Sequence, residues 1–381
     1  MTLSTHPAFA AAEQAYRGWL DSEPDYRGQL AVYHHGEQVL DVTLGEGLQS
    51  DALIPVFSSS KGAIGVVIAL LVERGQLDLD ATVASYWPEF AAAGKGDVLV
   101  RQLLSHQAGL VGVDGGYTNE ELLAHEPLAK RLADQRPLWR PGAGFAYHAL
   151  TIGVLADELV RRITGRTLAD VFREDVAAPR SIDIHLGTAE ELDGRVTSVD
   201  LPPAEVLMAY MAKMPAPDPD SISGMSMPRS ERHLLQIVND LDYRRVGPPA
   251  AGGLANASGL ARMYASLHHG LDGQDRLLSD DTVAQVSQTQ VTGNEMSSEQ
   301  PFRFGVVFQK PIAPRWLFGS ARCFGHDGAG GSMGFSDPAH DLAVGYISKT
   351  VHIPVDLEQG PDPRMELIKT IRACATAADA S

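Results

Sequence analysis

Cysteine is almost missing from this chain: Cys323 and Cys374 are the only two in 381 residues. Two are too few for a disulfide framework or a structural zinc site. Positive charge is also short, with 31 lysines and arginines against 48 acidic residues and a formal net charge of −17. A surface of that sign repels a phosphate backbone and an anionic bilayer alike, which argues against nucleic-acid and membrane partners. No apolar run reaches the length of a membrane span, and the first thirty residues carry acids without a hydrophobic signal core. A soluble, cytoplasmic protein is therefore expected. No zinc, nucleotide or phosphate-loop motif is present, and the adjacent His34 and His35 lack the spacing of a metal site. No metal or cofactor is expected. What remains, 44% hydrophobic and 21% charged residues, suffices for a large core in one big domain or two joined lobes.

Against this background one stretch stands out. Ser58-Ser59-Ser60-Lys61 is followed at once by Gly62-Ala63-Ile64-Gly65-Val66-Val67-Ile68-Ala69-Leu70-Leu71-Val72. A segment apolar on every face reads as a buried helix, with Gly75 as its C-terminal stop. Ser58 and Lys61 share one helix face. The partial positive charge of a helix N-terminus disfavours an ammonium and favours an oxyanion. A hydroxyl beside an amine there reads as a serine nucleophile with a lysine base. The four-residue pattern alone arises about once by chance in a chain this long, and its bland reading is an N-cap with a solvent-facing lysine. A buried first turn is a poor place for an idle lysine.

Along the chain, residues 7–21 read as an amphipathic helix and Gln29 to Leu44 as a hairpin around His35-Gly36. Helical periodicity dominates from Gln76 to about Asp240. Asn256 caps a further helix through Leu267. Strand character returns at Phe302 to Gln309, Arg322 to His326 and Leu342 to Ser348, before a last helix from Pro363 to Ala377. The expected fold is α/β. An antiparallel sheet lobe (1–75 and 300–381) is flanked by helices, a mostly helical lobe spans 76–299, and the active site lies between them. Pro215 to Pro228 reads as a loop beside the cleft.

Two further elements fit a lysine base. Tyr147 leaves a Pro/Gly loop, Trp139 to Gly144, just before an apolar helix, and its phenol can share proton traffic with the amine. Its bland reading is a tyrosine packed at a helix start. Gly325-His326-Asp327-Gly328-Ala329-Gly330-Gly331 can bring backbone N–H groups close to a substrate, as half of an oxyanion hole with Ser58; a tight hairpin would need the same glycines. Gly330-Gly331-Ser332-Met333-Gly334 matches the G-x-S-x-G nucleophile elbow, but Phe335 to Asp341 reads as a turn before another strand and not as a helix, so Ser332 is read as incidental.

Ser58-x-x-Lys61, Tyr147 and His326-Asp327-Gly328, in this order, resemble the serine β-lactamase/penicillin-binding superfamily, in particular the class C-like branch with the family VIII carboxylesterases. Leu103 to Leu110, Gly252 to Arg262 and Gly325 to Phe335 strengthen the resemblance, which spans about Gln29 to Ser348. It implies a β-lactamase/transpeptidase-like fold. By position, Ser58 is the nucleophile, Lys61 the general base and Tyr147 a partner in proton transfer, with the Ser58 and Ala329 N–H groups as oxyanion hole. His326 stands where the lactamases carry a lysine, and His326, Gly328, Trp139 and His148 are the candidate substrate contacts. The lactamase pattern Y-x-N is here Tyr147-His148-Ala149. Ala149 cannot bond a lactam side-chain amide, and a histidine grips a carboxylate weakly at neutral pH. Both departures favour a neutral ester.

The Met208, Met211, Met214, Met225 and Met227 cluster reads as core filling or, with Trp139, as a deformable wall for an acyl group. His106 reads as a buried structural histidine. The expected activity is cofactor-free hydrolysis of short- to medium-chain carboxylic esters through an acyl-enzyme on Ser58. The alternatives are β-lactamase, D-amino-acid amidase or peptidase, or transesterase chemistry on the same scaffold, and a silent binding protein. The expected partner is a small-molecule ester, with homo-oligomerisation left open.

Overall fold

The computed structural model describes residues 5–203, 205–206, 208–209, 217–314, 316, 318–351 and 362–380. Met211 and Met214 lie outside the described residues. Two strands, β1 (Gly28–His34) and β2 (Glu37–Leu44), form the expected hairpin. Its two-residue turn puts His35 at φ +50° and Gly36 at φ +78°, the pair of left-handed conformations that matches the strand twist of a type I′ connection. The hairpin joins three late strands, β8 (Phe324–Asp327), β9 (Met333–Asp337) and β10 (Leu342–Ser348), in the order β2-β1-β10-β9-β8. All pairs are antiparallel.

Every residue of β1, β9 and β10 is buried, because both faces of the sheet are covered. On one face Leu30, Val32, Met333, Phe335 and Val344 meet Phe9 and Tyr16 of the N-terminal helices and Leu367, Ile368 and Ile371 of helix Pro363–Asp379. On the other, Ala31, Tyr33, Phe324, Ala343 and Ile347 join a larger core with helices Ala257–Ala265 and Lys61–Glu73. The alternation of Leu30/Val32 with Ala31/Tyr33 is the period of two that assigns side chains to opposite faces.

Asn256 caps helix Ala257–Ala265 by accepting from the Gly259 N–H at 2.7 Å. That helix lies against strands β1, β9 and β10 of the sheet. The strand expected from Phe302 to Gln309 stops at Phe304: β7 (Pro301–Phe304) pairs with β6 (Val291–Asn294), and Phe304 makes an isolated bridge to Gln309. Beyond it Val307 adopts φ +67°, which no β-branched residue holds within a strand. A short sheet, β3 (Ile54–Pro55) with β5 (Gly253–Ala255) and β4 (Ile184–Leu186), was not foreseen. It ties the segment before Ser58 to the 250 loop. No helix among the described residues is long and apolar enough to cross a membrane.

Candidate active site

The serine run divides by function once its hydrogen bonds are traced. Phe57–Ser60 forms one tight turn that leads into helix Lys61–Glu73. Ser59 Oγ lies 3.0 Å from Ser332 Oγ, and Ser60 Oγ accepts from the Gly253 N–H at 3.0 Å. Both hydroxyls are buried and serve to hold strands together. Ser58 alone is half-exposed, and Lys61 Nζ lies 3.0 Å from its Oγ. Phe57, immediately before it, sits at φ +49°, a strained conformation for an aromatic residue of the kind that collects at functional sites.

Lys61 is completely buried. Its Nζ donates to the Ala250 carbonyl at 2.8 Å and lies 5.0 Å from the centre of the Tyr147 ring. Burial holds the amine down to about 7, against a smaller opposing pull from Asp327. A neutral amine that already gives one hydrogen to a carbonyl keeps its lone pair for a neighbouring hydroxyl, which is the state a general base requires. The helix around it makes this arrangement affordable: Ile64, Val66, Val67, Ile68 and Leu71 are fully buried, at about 1.5–3 kcal/mol each.

Tyr147 arrives from the other lobe. Its ring is stacked with Phe302 and Phe304, with centroids 5.7 and 5.9 Å away. Its backbone N–H donates to the buried Glu295 carboxylate at 3.0 Å, which also accepts from Ser297 and Ser298. The phenol oxygen lies 3.4 Å from His326 Nε2. His326 Nδ1 faces the Asp327 carbonyl at 2.7 Å, so Nδ1 carries the hydrogen. In the neutral ring Nε2 is then the acceptor for the Tyr147 hydroxyl.

Two of the expected substrate contacts are buried. His326 is fully buried, with its Nε2 facing the Tyr147 hydroxyl. His148 is also fully buried, with Nε2 accepting from the Leu110 N–H at 3.0 Å and Nδ1 donating to the Ala146 carbonyl at 2.7 Å. Burial holds its imidazole down to about 4, and no nitrogen is left for a ligand. The sequence pattern places His148 one residue from Tyr147, but consecutive residues of an extended segment point to opposite sides. His106 is neutral and buried beneath the Tyr147 ring, its titration pushed far down first by burial and then by His148, Lys61 and His326. Trp139 donates to the Gln107 and Gly144 carbonyls and packs with Val111, Ala146, Ile222 and Met225. Met208 is exposed.

The glycine run after β8 folds back onto the nucleophile segment. A Cβ on Gly328 would stand 2.3 Å from the Val56 carbonyl oxygen, and one on Gly330 would stand 2.6 Å from the Phe57 ring. Only glycine allows this approach. Between them Ala329 is exposed, and among the described residues no carbonyl takes the N–H of Ala329 or of Ser58. Ser332 is buried and its Oγ donates to the Val56 carbonyl at 2.7 Å, a structural hydroxyl with no nucleophile elbow around it. Gly328→Ala is expected to displace this loop and lower kcat/KM on an ester about a hundredfold, with the circular dichroism spectrum unchanged; steady-state hydrolysis of p-nitrophenyl butyrate measures it.

Sequence reading missed Glu295 and the Ala250 carbonyl. Glu295 reaches Tyr147 across 148 residues, and a backbone carbonyl carries no residue signature, so neither had a local signal.

The model of the Beta-lactamase family matches residues 24–366. The chain belongs to the β-lactamase family. The esterase/β-lactamase LipL of Mycobacterium tuberculosis is 32% identical over 373 residues, covering 92% of this chain and 83% of that protein. Among solved structures, EstA from Arthrobacter nitroguajacolicus superposes with a TM-score of 0.91 at 38% identity, covering 99% of both chains. A family VIII carboxylesterase follows at 0.85 and 29%, covering 98% of this chain and 99% of that one. In this β-lactamase-family chain the fold is therefore the β-lactamase/transpeptidase-like one, an antiparallel sheet with helices.

Proposed function

We propose that this protein is a serine carboxylesterase that works through an acyl-enzyme on Ser58. The observation that carries the proposal is a fully buried lysine, held down to about 7, with its nitrogen 3.0 Å from a half-exposed serine hydroxyl. Ser58 Oγ attacks the ester carbonyl carbon and gives its proton to Lys61 Nζ. The oxyanion rests on the Ser58 and Ala329 N–H groups. Collapse breaks the carbon–alkoxide bond, and the alkoxide takes the proton from Lys61, with Tyr147 and its His326 partner aligning the transfer. A water molecule then attacks the acyl-enzyme, passes its proton to Lys61, and Ser58 recovers that proton as the acid leaves.

Esters are favoured over anionic lactams because Ala149 offers no amide and His326 is buried against Tyr147. The apolar patch of Trp139, Ile222 and Met225 supports an acyl group of short to medium length. The names of the relatives, an esterase/β-lactamase and a family VIII carboxylesterase, agree with this choice. The test is a panel of p-nitrophenyl acetate and butyrate, a chromogenic cephalosporin and a D-alanyl anilide. The esters are expected to exceed both others in kcat/KM by about a hundredfold or more. A cephalosporin turned over faster than the esters would reassign the activity.

A further inference from the structure

The adjacent histidines of the β1–β2 turn have no metal spacing in sequence, but the fold brings a third donor to them. His34 ends β1, where its side chain is 7% exposed. His35 follows in the left-handed conformation at φ +50°. A strand would send two consecutive side chains to opposite faces; the positive φ turns the second back, and the two imidazole centroids lie 4.2 Å apart. Asp379, the last residue of helix Pro363–Asp379, closes over both. Its Oδ1 lies 3.2 Å from His34 Nε2 and 2.8 Å from His35 Nε2. The three donor atoms all lie within 4.8 Å of one another. His34 Nε2 is buried and makes no hydrogen bond among the described residues.

We propose that His34, His35 and Asp379 form a binding site for a divalent first-row transition metal ion, with zinc as the representative. Two imidazoles and one carboxylate suit such an ion and not calcium or magnesium, which take oxygen ligands. Tetrahedral zinc at about 2.0–2.1 Å from each ligand sets its donor atoms about 3.3 Å apart, near the 3.2 and 2.8 Å that already separate Asp379 Oδ1 from the two imidazole nitrogens. The surroundings are those of a built site. Asp341 Oδ2 lies 3.4 Å from His35 Nδ1, placing a second carboxylate behind the ring whose Nε2 faces the ion. The other Asp341 oxygen lies 3.3 Å from His269 Nε2. Phe9, 5.6 Å from the His34 ring, closes the apolar side. Three protein donors leave a fourth position for water.

The ion would join residues 344 positions apart, the hairpin turn and the end of the terminal helix. Binding to the folded chain alone stabilises it by mass action. The sheet register keeps the site away from the chemistry. His34 lies opposite Leu342 and Gly28 opposite Ser348, while Met333, beside the 328–332 loop, pairs with Tyr346 near the far end of β10.

Titration of the tag-free full chain with zinc chloride, by calorimetry and by competition with a chromogenic chelator, tests the site. One ion per chain and a higher melting temperature, reversed by EDTA, are expected. Asp379→Asn and His35→Asn change exposed residues and asparagine tolerates the left-handed turn. Each is expected to weaken zinc binding at least about tenfold, and Asp341→Asn by about 10- to 100-fold. Ester hydrolysis should stay at the wild-type rate in all three. Binding as tight in Asp379→Asn and His35→Asn as in the wild type, or no binding at about millimolar zinc, overturns the proposal.

Discussion

Ser58→Ala is expected to lower kcat/KM for p-nitrophenyl butyrate by about ten-thousandfold or more while leaving the melting temperature within about 2 °C of wild type. The size follows from the position. Ser59 and Ser60 are committed to Ser332 and Gly253, and Ser332 to Val56, so no neighbouring hydroxyl can take over the attack on the carbonyl. The small stability effect follows because Ser58 Oγ is half-exposed and, among the described residues, bonds only the lysine that loses its purpose with it. A second measurement separates chemistry from binding: a fluorophosphonate probe should add to the wild-type chain at Ser58, read by mass spectrometry, and leave Ser58→Ala unmodified. Wild-type turnover in that variant would refute the assignment.

Lys61→Met should cost activity on a similar scale, about a thousandfold or more, but with the opposite consequence for stability. In the native chain the amine is held down to about 7 by burial, whereas the unfolded chain keeps the ordinary value of 10.5. Between those two values the unfolded chain binds one more proton than the folded one, so the lysine's contribution becomes more favourable as pH rises from about 7 to 10.5. Below about 7 its full cost applies, because a charge must be buried. Methionine of similar shape removes that cost. The variant is therefore expected to melt at least about 2 °C higher at pH 7, by differential scanning calorimetry, with the gap narrowing toward pH 10. The same ionisation appears in the wild-type rate: kcat/KM should fall about tenfold for each pH unit below 7 as the base is protonated. An acid limb that stays at the same position when Lys61 is replaced would assign it to another group.

Local signals carried much of the framework. The His35-Gly36 turn, the apolar helix that begins at Lys61, the Asn256 cap and the last helix from Pro363 each depend on interactions within a few residues, and each stands where the chain suggested. Strand β9 did not read as a strand because Gly334 and Ser336 break its apolar character; Gly334 is there so that the sheet can meet Tyr264, whose ring would lie 2.8 Å from a Cβ. The extension of β7 past Phe304 failed for the opposite reason. Gly305 to Phe308 is apolar enough for a strand, but the backbone turns at Val307 to give its N–H to the Leu104 carbonyl at 2.7 Å.

The candidate site divides along the same line. Ser58 and Lys61 are three residues apart, and helical geometry alone sets them face to face, so their partnership was determined by the sequence. The lysine's lowered proton affinity belongs to the tertiary structure, since it arises from burial by side chains drawn from the whole core. So do the alignment of Tyr147 by Glu295 and His326, the retreat of His148 into backbone hydrogen bonds, and the meeting of His34 and His35 with Asp379. Each joins groups whose separation along the chain carries no periodic signal. Spacing announces a pair only when one regular element holds both members; where several elements must pack before donors meet, the chemistry exists only in the folded chain.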